Sequence, residues 1–378
     1  MLSYWEKQSF FEGIDIAIVG SGIVGLNAAI HLKEHSKHLN VVVIERGFLP
    51  YGASTRNAGF ACFGSISELI DDLKNSSEDE VFALVERRFK GLSRLRERVG
   101  DEALRYENLG GFEIFKKEEK NIFNVCHSQL DYFNKQVKNT TKRNDTYRIL
   151  SKKEVNNFGF EGIDNAILNQ SEGQINTGEM MKTLLAIAQE KGVRIINGLN
   201  VEKIIDEGEK IIFQAKNWHF QAKKALICTN GFAQQLLPEI EVTAARNQVI
   251  ITKPIPNLSL KGCFHYDRGY FYFRNIDNRI LLGGGRNLDY KNEQTDAFGT
   301  SEIIQNALKD LLQNTILPKK NVDIDMTWSG IMGLGSIKKP IIQMHSKNLG
   351  IAVRMGGMGV AIGSLVGEDG AEMMIKNL

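Results

Sequence analysis

The stretch that decides the fold is Ile14-Asp15-Ile16-Ala17-Ile18-Val19-Gly20-Ser21-Gly22-Ile23-Val24-Gly25, answered further on by Val41-Val42-Val43-Ile44-Glu45. An apolar run enters Gly-x-Gly-x-x-Gly, a helical segment follows, and a second apolar run ends on an acid. Gly20 permits the tight turn, Gly22 lets backbone N–H groups approach a pyrophosphate, and Gly25 lets the helix pack on the strand. The helix N-terminus offers unpaired N–H donors to phosphate. Glu45 is placed to accept from ribose hydroxyls. Strand, glycines, helix, strand and acid together predict a site for an adenine dinucleotide.

At 378 residues the chain has room for about two domains. A net charge of +2 provides no field that would draw it to nucleic acid or to a membrane surface. Cys62, Cys126, Cys228 and Cys263 form no Cys-x-x-Cys pair and no disulfide-like spacing, which fits a reduced compartment. The N-terminal apolar run is broken by Asp15, glycines and Asn27, unlike a signal peptide or membrane span. A cytoplasmic protein is expected. His31, His35 and His38 lie among Lys33, Glu34 and Lys37 and read as a solvated helix end; no metal site is expected. The polar segment Lys135–Asp145 reads as a surface loop.

After Glu45 and Arg46, the run Gly52-Ala53-Ser54-Thr55-Arg56-Asn57-Ala58-Gly59-Phe60 is small and polar, suited to lying close to a ligand. Apolar spacing predicts helix over 66–100 and over Met180–Gly192, and strands at Phe112–Phe115, Val193–Ile196 and Val201–Ile205. Ala225–Gly231 reads as a buried strand whose end, Thr229-Asn230-Gly231, suits a site beside phosphate or adenine. Gln248–Thr252, Gly269–Arg274 and Arg279–Gly283 read as antiparallel strands with a hairpin turn at Asp277-Asn278. Period two places Arg268, Tyr270, Tyr272 and Arg274 on one face, either toward solvent or toward a substrate. Near the C-terminus a strand, Gly350–Arg354, enters Met355-Gly356-Gly357-Met358-Gly359, and a helix runs from Val360 to about Ile375. Gly359, Gly363 and Gly367 line one face of that helix, open to another backbone or a ring system.

These pieces in this order resemble the D-amino-acid oxidase/glycine oxidase/sarcosine oxidase superfamily of flavoproteins over essentially the whole chain. The markers are Ile16–Gly25, Gly52–Gly59, Thr327-Trp328-Ser329-Gly330 and Gly357-x-Gly359-Val360-Ala361. Ser3-Tyr4-Trp5 with Ser54–Gly59 looks most like the γ-glutamylputrescine oxidase-like branch. The resemblance implies an α/β fold with an α+β second domain: a Rossmann-like FAD-binding domain with an interleaved substrate domain on an antiparallel sheet. The expected division is 1–75, 145–240 and 325–378 for FAD, and 76–144 and 241–324 for substrate. It implies FAD, contacted by Gly20, Ser21, Gly22, Ile23, Val24, Gly25, Glu45, Arg46, Ala53 through Phe60, Val201, Thr229, Asn230, Gly231, Gly330, Met332 and Gly357, Met358, Gly359 and Val360. It also implies hydride transfer to flavin from a carbon beside nitrogen, giving an imine that water hydrolyses, with O2 or another acceptor taking the electrons.

Two departures bear on substrate. Relatives that oxidise free amino acids hold the carboxylate with an arginine just after Trp-x-Gly, and here Met332 stands at its place; Arg354 stands where relatives have glycine. Residues 327–342 contain no cysteine and 39–126 no histidine, so noncovalent flavin is expected. Tyr270, Tyr272, Arg274, Trp328, Met332 and Arg354 are the candidate substrate-site residues. Oxidation of a small amine or amino-acid derivative leads. A flavin-dependent 2-hydroxy acid or polyol dehydrogenase and a non-enzymatic flavin-binding protein are the alternatives.

Overall fold

The computed structural model describes residues 2–216 and 218–377. Ile16–Val19 is the centre of a six-stranded sheet, hydrogen-bonded in parallel to Val41–Ile44 on one side and Lys224–Ile227 on the other. Arg194–Ile196 and Leu349–Val353 extend it in parallel, and Ile341–Met344 closes one edge antiparallel. These strands read as unbroken apolar runs because both faces are covered. Ile16, Ile18, Val41 and Val43 pack under helices Ile23–His35, Glu78–Val99, Thr177–Glu190 and Gly359–Ile375. Ala17, Val19, Val42 and Ile44 pack on the other side, against the three-stranded sheet of Val201–Asp206, Ile211–Ala215 and Trp218–Ala222.

A second sheet has eight strands in the order Ile324–Leu334, Thr243–Thr252, Arg279–Gly284, Phe271–Ile276, Cys263–Tyr266, Gly111–Lys116, Ile163–Asn169, Tyr147–Ile149. It is antiparallel except where Cys263–His265 runs parallel to Gly111–Glu113. One face is a phenylalanine-rich core, with Phe112, Phe264, Phe271 and Phe273 covered by helix Glu302–Leu311. The opposite face looks toward the dinucleotide half.

Several expectations change. The long helix over 66–100 is two helices, Ile66–Asp72 and Glu78–Val99, because Ser77 and Glu80 form a capping box that restarts the helix. The expected loop Lys135–Asp145 is helical to Thr141: Phe133 and Val137, four apart, are buried, and Lys142 in the left-handed region (φ 61°) ends the helix. Strands Ile163–Asn169, Tyr147–Ile149 and most of Ile324–Leu334 fall in segments assigned to the FAD domain, yet they join the eight-stranded sheet. Helix Glu78–Val99, assigned to the substrate domain, packs instead on Gly359–Ile375, where Gly91 rests on the Ala361 carbonyl. The C-terminal helix uses its glycine face for a backbone, not a ring: Cβ atoms at Gly363 and Gly367 would lie 2.7 Å from the Ile23 side chain and 2.5 Å from the Val24 carbonyl.

Candidate functional site

The dinucleotide turn is built as its residues require. Gly20 has φ +106°, and a Cβ there would lie 2.9 Å from the Cys228 carbonyl. A Cβ at Gly25 would collide with the Gly20 carbonyl, so the helix closes directly on the turn. No side chain caps Gly22; Ser54 Oγ instead accepts from Ile23 N at 2.9 Å. Helix geometry leaves the following N–H groups without intrahelical partners, free for phosphate. Glu45 is buried, and its carboxylate accepts from Ser21 N at 3.2 Å, Ser21 Oγ at 2.8 Å and Gly47 N at 3.0 Å. Val201 lies close by, since Leu199 N donates to the Glu45 carbonyl at 3.0 Å. Thr229, beside the turn, has a buried hydroxyl with no partner among the described residues. An uncapped helix end, a glycine cradle and an orphaned hydroxyl around one space fit an ADP moiety.

The loop after Glu45 spans the two sheets. Arg46 stacks on Phe232 at 3.8 Å. Thr55 Oγ1 donates to the Pro50 carbonyl, and Asn57 binds the Ala53 and Ser54 carbonyls, shaping the short helix Ala53–Arg56. Arg56 lies over Tyr51 and Phe298 and donates to the Ser329 carbonyl at 2.9 Å, while Trp328 Nε1 donates to the Arg56 carbonyl at 2.9 Å. A Cβ at Gly330 would touch Arg56 at 3.3 Å. Gly59 (φ +74°) abuts the Ile175 carbonyl and accepts from Arg274 Nη1 at 3.2 Å.

Across from this loop, strand register fixes which side chains share a face. His265 pairs with Tyr272 and with Glu113, and Tyr272 pairs with Gly283. Val249 pairs with both Gly283 and Trp328. Side chains alternate, so Asn247, Val249, Trp328, Tyr272, Arg274, His265 and Glu113 lie on the face toward the dinucleotide half. Ala58, Val249 and Leu281 form a small apolar cluster there, with Phe60, Tyr272 and Trp328 packed against it. Tyr272 Oη accepts from Asn247 Nδ2 at 3.2 Å across Gly283, where a Cβ would lie 2.6 Å from that oxygen. Burial pushes the Tyr272 phenol well up, so it stays neutral at physiological pH. Phe60 sits edge-on to both Tyr272 (5.5 Å) and His265 (5.2 Å).

The last wall is the turn before the C-terminal helix. Asn230 Oδ1 accepts from Arg354 N and Met355 N, and a Cβ at Gly231 would lie 2.5 Å from the Met332 carbonyl. Met332 Sδ lies 3.7 Å from where a Gly357 Cβ would be, so these two meet across the site. Gly357, Met358, Gly359 and Val360 thus form the uncapped start of the helix Gly359–Ile375, facing the Trp328 strand.

Not every sequence candidate arrives at this face. Tyr270 and Arg268 do not share it with Tyr272: Asp267, Arg268 and Gly269 all have positive φ, so the period restarts at Phe271. Tyr270 bonds Tyr290 at 2.5 Å and packs toward the phenylalanine core. Arg354 is buried, and its guanidinium is engaged by the Lys339 carbonyl (2.8 Å), the Glu241 carbonyl (3.1 Å) and the Glu241 carboxylate (3.3 Å). It fastens the turn instead of reaching toward a substrate. Asn247, His265 and Glu113 also lie on this face and were not among the sequence candidates; alternation within Thr243–Thr252, Cys263–Tyr266 and Gly111–Lys116 was their only sequence signal. His31, from the histidine group, pairs with Glu372 at 2.6 Å.

A family model described as FAD dependent oxidoreductase (DAO) matches residues 15–373. The chain belongs to this family. It is similar to the gamma-glutamylputrescine oxidoreductase of Escherichia coli strain K12, at 25% identity over 95% of this chain and 83% of the relative. Its fold is that of a glycine oxidase from Geobacillus kaustophilus (TM-score 0.76, 18% identity, 96% of this chain, 94% of that one). An L-proline dehydrogenase from P. horikoshii is equally similar in fold (TM-score 0.76, 18% identity, 97% and 94%). The protein is therefore an FAD-dependent oxidoreductase with the expected two-sheet architecture, and the non-enzymatic alternative falls away. When bound, FAD supplies a two-electron acceptor, and the turn at Gly20–Gly25, with Glu45, Thr229 and the Gly357–Val360 segment, is the set that would hold it. No helix among the described residues is long and apolar enough to cross a membrane.

Proposed function

We propose that the protein oxidises a C–N bond of a small amine or amino-acid derivative, with FAD held noncovalently. The observation that carries this reading is the row Asn247, Tyr272 and His265, set on one sheet face with Phe60 packed edge-on against Tyr272 and His265. Asn247 Oδ1 is buried with no partner among the described residues, an acceptor suited to an amine N–H. Tyr272, kept neutral by burial, orients Asn247 and adds no competing charge. Val249, Leu281, Phe60 and Trp328 supply the apolar walls that exclude water around the reacting carbon. The names of the similar proteins, a glutamylated putrescine, glycine and proline among their substrates, all point to a carbon beside nitrogen.

Substrate choice follows from Met332 and Arg354. A thioether at the place of the carboxylate-binding arginine cannot make a bidentate charge-assisted pair, in which each bond is worth roughly 1.5–3 kcal/mol. Arg354 is held in place within the protein by its Nε and Nη1, which donate to the Lys339 and Glu241 carbonyls. Glycine, sarcosine and simple D-amino acids are expected to turn over poorly, and longer amines well.

The test is an anaerobic screen of amines, amino acids and 2-hydroxy acids, watching the oxidised flavin band. Bleaching by an amine, with release of ammonia or a shorter amine, supports the reading. Bleaching by hydroxy acids alone would replace it with the alcohol-oxidising alternative. Flavin remaining on the denatured polypeptide would overturn the noncovalent assignment.

A further inference from the structure

Beyond Tyr272 the same sheet face runs into a buried polar cluster that hydride transfer does not need. His265 stands opposite Tyr272 in the strand pair, edge-on to Phe60. Its ring is half-buried, yet Nε2 is sealed from solvent and has no hydrogen-bond partner among the described residues. Past the ring lies an enclosed space of about 10 Å³ lined by Glu113, Glu172, Tyr147 and Asn169. Asn169 Nδ2 is likewise buried without a partner. A space of one water's size, bordered by two unsatisfied nitrogens and two carboxyls, is the kind of site that holds an ordered water. Glu172 is fixed by the Phe63 and Gly64 N–H groups, at 2.8 and 3.1 Å, and Glu113 by Ser67. Burial, only partly offset by Ser67, lifts Glu113 to about 7, so it can take or release a proton near neutrality.

We propose that His265 takes the proton of the substrate's ammonium group and passes one on through the water-sized space to Glu113. The proposal rests on the amine-oxidation reading above. An ammonium carries no lone pair to assist departure of the neighbouring hydride, so the proton must leave first. The ammonium N–H bond breaks as imidazole gains that proton on its open side. Nε2 releases its own proton toward the water and Glu113, which restores neutral imidazole. Only as the free amine can the substrate's α-hydrogen leave as hydride, taking both electrons of the C–H bond to the two-electron acceptor that FAD would supply, and water hydrolyses the iminium that remains. The charged and titratable groups around the ring are Glu68, Glu172, Cys62, Glu113, Tyr272 and, one step along the same face, Arg274, with Arg88 and Lys338 behind the carboxylates. Burial raises Glu172; on Glu68 burial acts the same way, but the surrounding charges and the Ser65 hydrogen bonds together outweigh it and lower the group.

The experiment is anaerobic rapid mixing of the FAD-loaded enzyme with a substrate amine, across pH, for wild type, His265→Gln and Glu113→Gln. His265→Gln is expected to slow flavin reduction at neutral pH by about 100-fold or more. The rate should recover as pH nears the amine's own pKa, about 10, where solvent does the deprotonation. Glu113→Gln should remove the wild-type limb near neutrality while FAD stays bound. A purely structural role would slow reduction equally at every pH, and that result, or an unchanged His265→Gln profile, overturns the proposal. So would a stoichiometric metal ion found by elemental analysis, because the His265, Cys62 and Glu172 donor atoms lie within 4.8 Å of one another. Should His265→Gln fail to retain FAD, His265→Asn carries the same comparison. If no amine reduces the wild type, the amine-oxidation reading fails first, and that failure is distinct.

Discussion

Gly22→Ala separates the two roles of the dinucleotide turn. A methyl group there would sit 3.0 Å from Ser54 Oγ, the atom that accepts from Ile23 N at 2.9 Å. Such a separation is tighter than ordinary Cβ contacts, and Ser54 has room to yield by rotating. Losing its bond to the helix start costs about 1 kcal/mol, as for a lost N-cap. In a protein of this size that lowers the melting temperature of the FAD-free form by only about 2 °C. The effect on FAD is larger. The methyl occupies the pyrophosphate's approach, and two charge-assisted bonds at roughly 1.5–3 kcal/mol each amount to about 10²- to 10⁴-fold in Kd. Titrating FAD-free protein with FAD by flavin fluorescence measures this directly. Ser54→Ala is the companion: it loses the same bond to Ile23 N but adds nothing to the phosphate path, so its stability falls and its Kd changes much less. A Gly22→Ala Kd within about threefold of wild type would refute the reasoning. Equal affinity losses in the two variants would show that Ser54, not the glycine, carries the effect.

Four further outcomes follow from buried groups. Glu293 is fully buried and accepts from Arg246 Nε (3.0 Å), Arg246 Nη2 (2.7 Å) and Gln248 Nε2 (2.9 Å), so Glu293→Ala takes the acceptor from a half-buried guanidinium; a loss of about 1.5–3 kcal/mol is expected in urea unfolding, and less than about 0.5 would contradict it. Glu113 has a folded pKa raised from 4.5 to about 7, so its contribution is fully present below pH 4.5 and is lost as pH rises through 7. Glu113→Gln should therefore match wild-type stability near pH 4 and exceed it above pH 7, by up to about 3 kcal/mol; a constant difference across that window would count against the raised pKa. Arg274→Met releases the Gly59 carbonyl and is expected to weaken FAD about tenfold, read by the same titration, with unfolding little changed because no acid is left unpaired. Arg354→Met should lower the melting temperature without a selective rise in KM for any amine; a selective rise would return Arg354 to the substrate site.

The dinucleotide unit was legible because its physics is local. Turn, helix start, packing glycine and acid all fall between Ile14 and Glu45, and each residue type answers a constraint set by its neighbours. The C-terminal turn and helix were legible for the same reason. The substrate face was not. It is assembled from strands around Asn247, Tyr272, His265 and Glu113, and register between strands so far apart in sequence is invisible to periodicity. Tyr270 was placed on the wrong face because three consecutive positive-φ residues reset the alternation just before the strand begins. Lys135–Asp145 read as loop because its lysines, asparagines and threonines hide a helix whose buried apolar side chains, Phe133 and Val137, are few. Domain boundaries slipped for a related reason: Ile163–Asn169 and Tyr147–Ile149 are short strands whose sheet is chosen by distant partners.

The positions where the sequence misled are also the ones that narrow the chemistry. Arg354 stood among the candidate substrate-site residues because it precedes the C-terminal glycine turn in sequence and carries a charge where relatives have glycine. Buried with φ +70° and bound to the Lys339 and Glu241 carbonyls, it is engaged in holding that turn. Arg274, buried on the sheet face toward the dinucleotide half, donates to the Gly59 carbonyl through Nη1 while its Nε has no partner among the described residues, and Met332 offers no charge. Beside Arg274 stand a neutral phenol, an amide with a free acceptor, an imidazole and the carboxyls of Glu113, Glu172 and Glu68. On the function proposed above, such a face receives an ammonium, first as a charge to be neutralised and then as an amine to be oxidised. On the proposed reading, Met332 at the place expected for an arginine and the buried acid–imidazole cluster work in one direction, away from holding an anion and toward handling a proton.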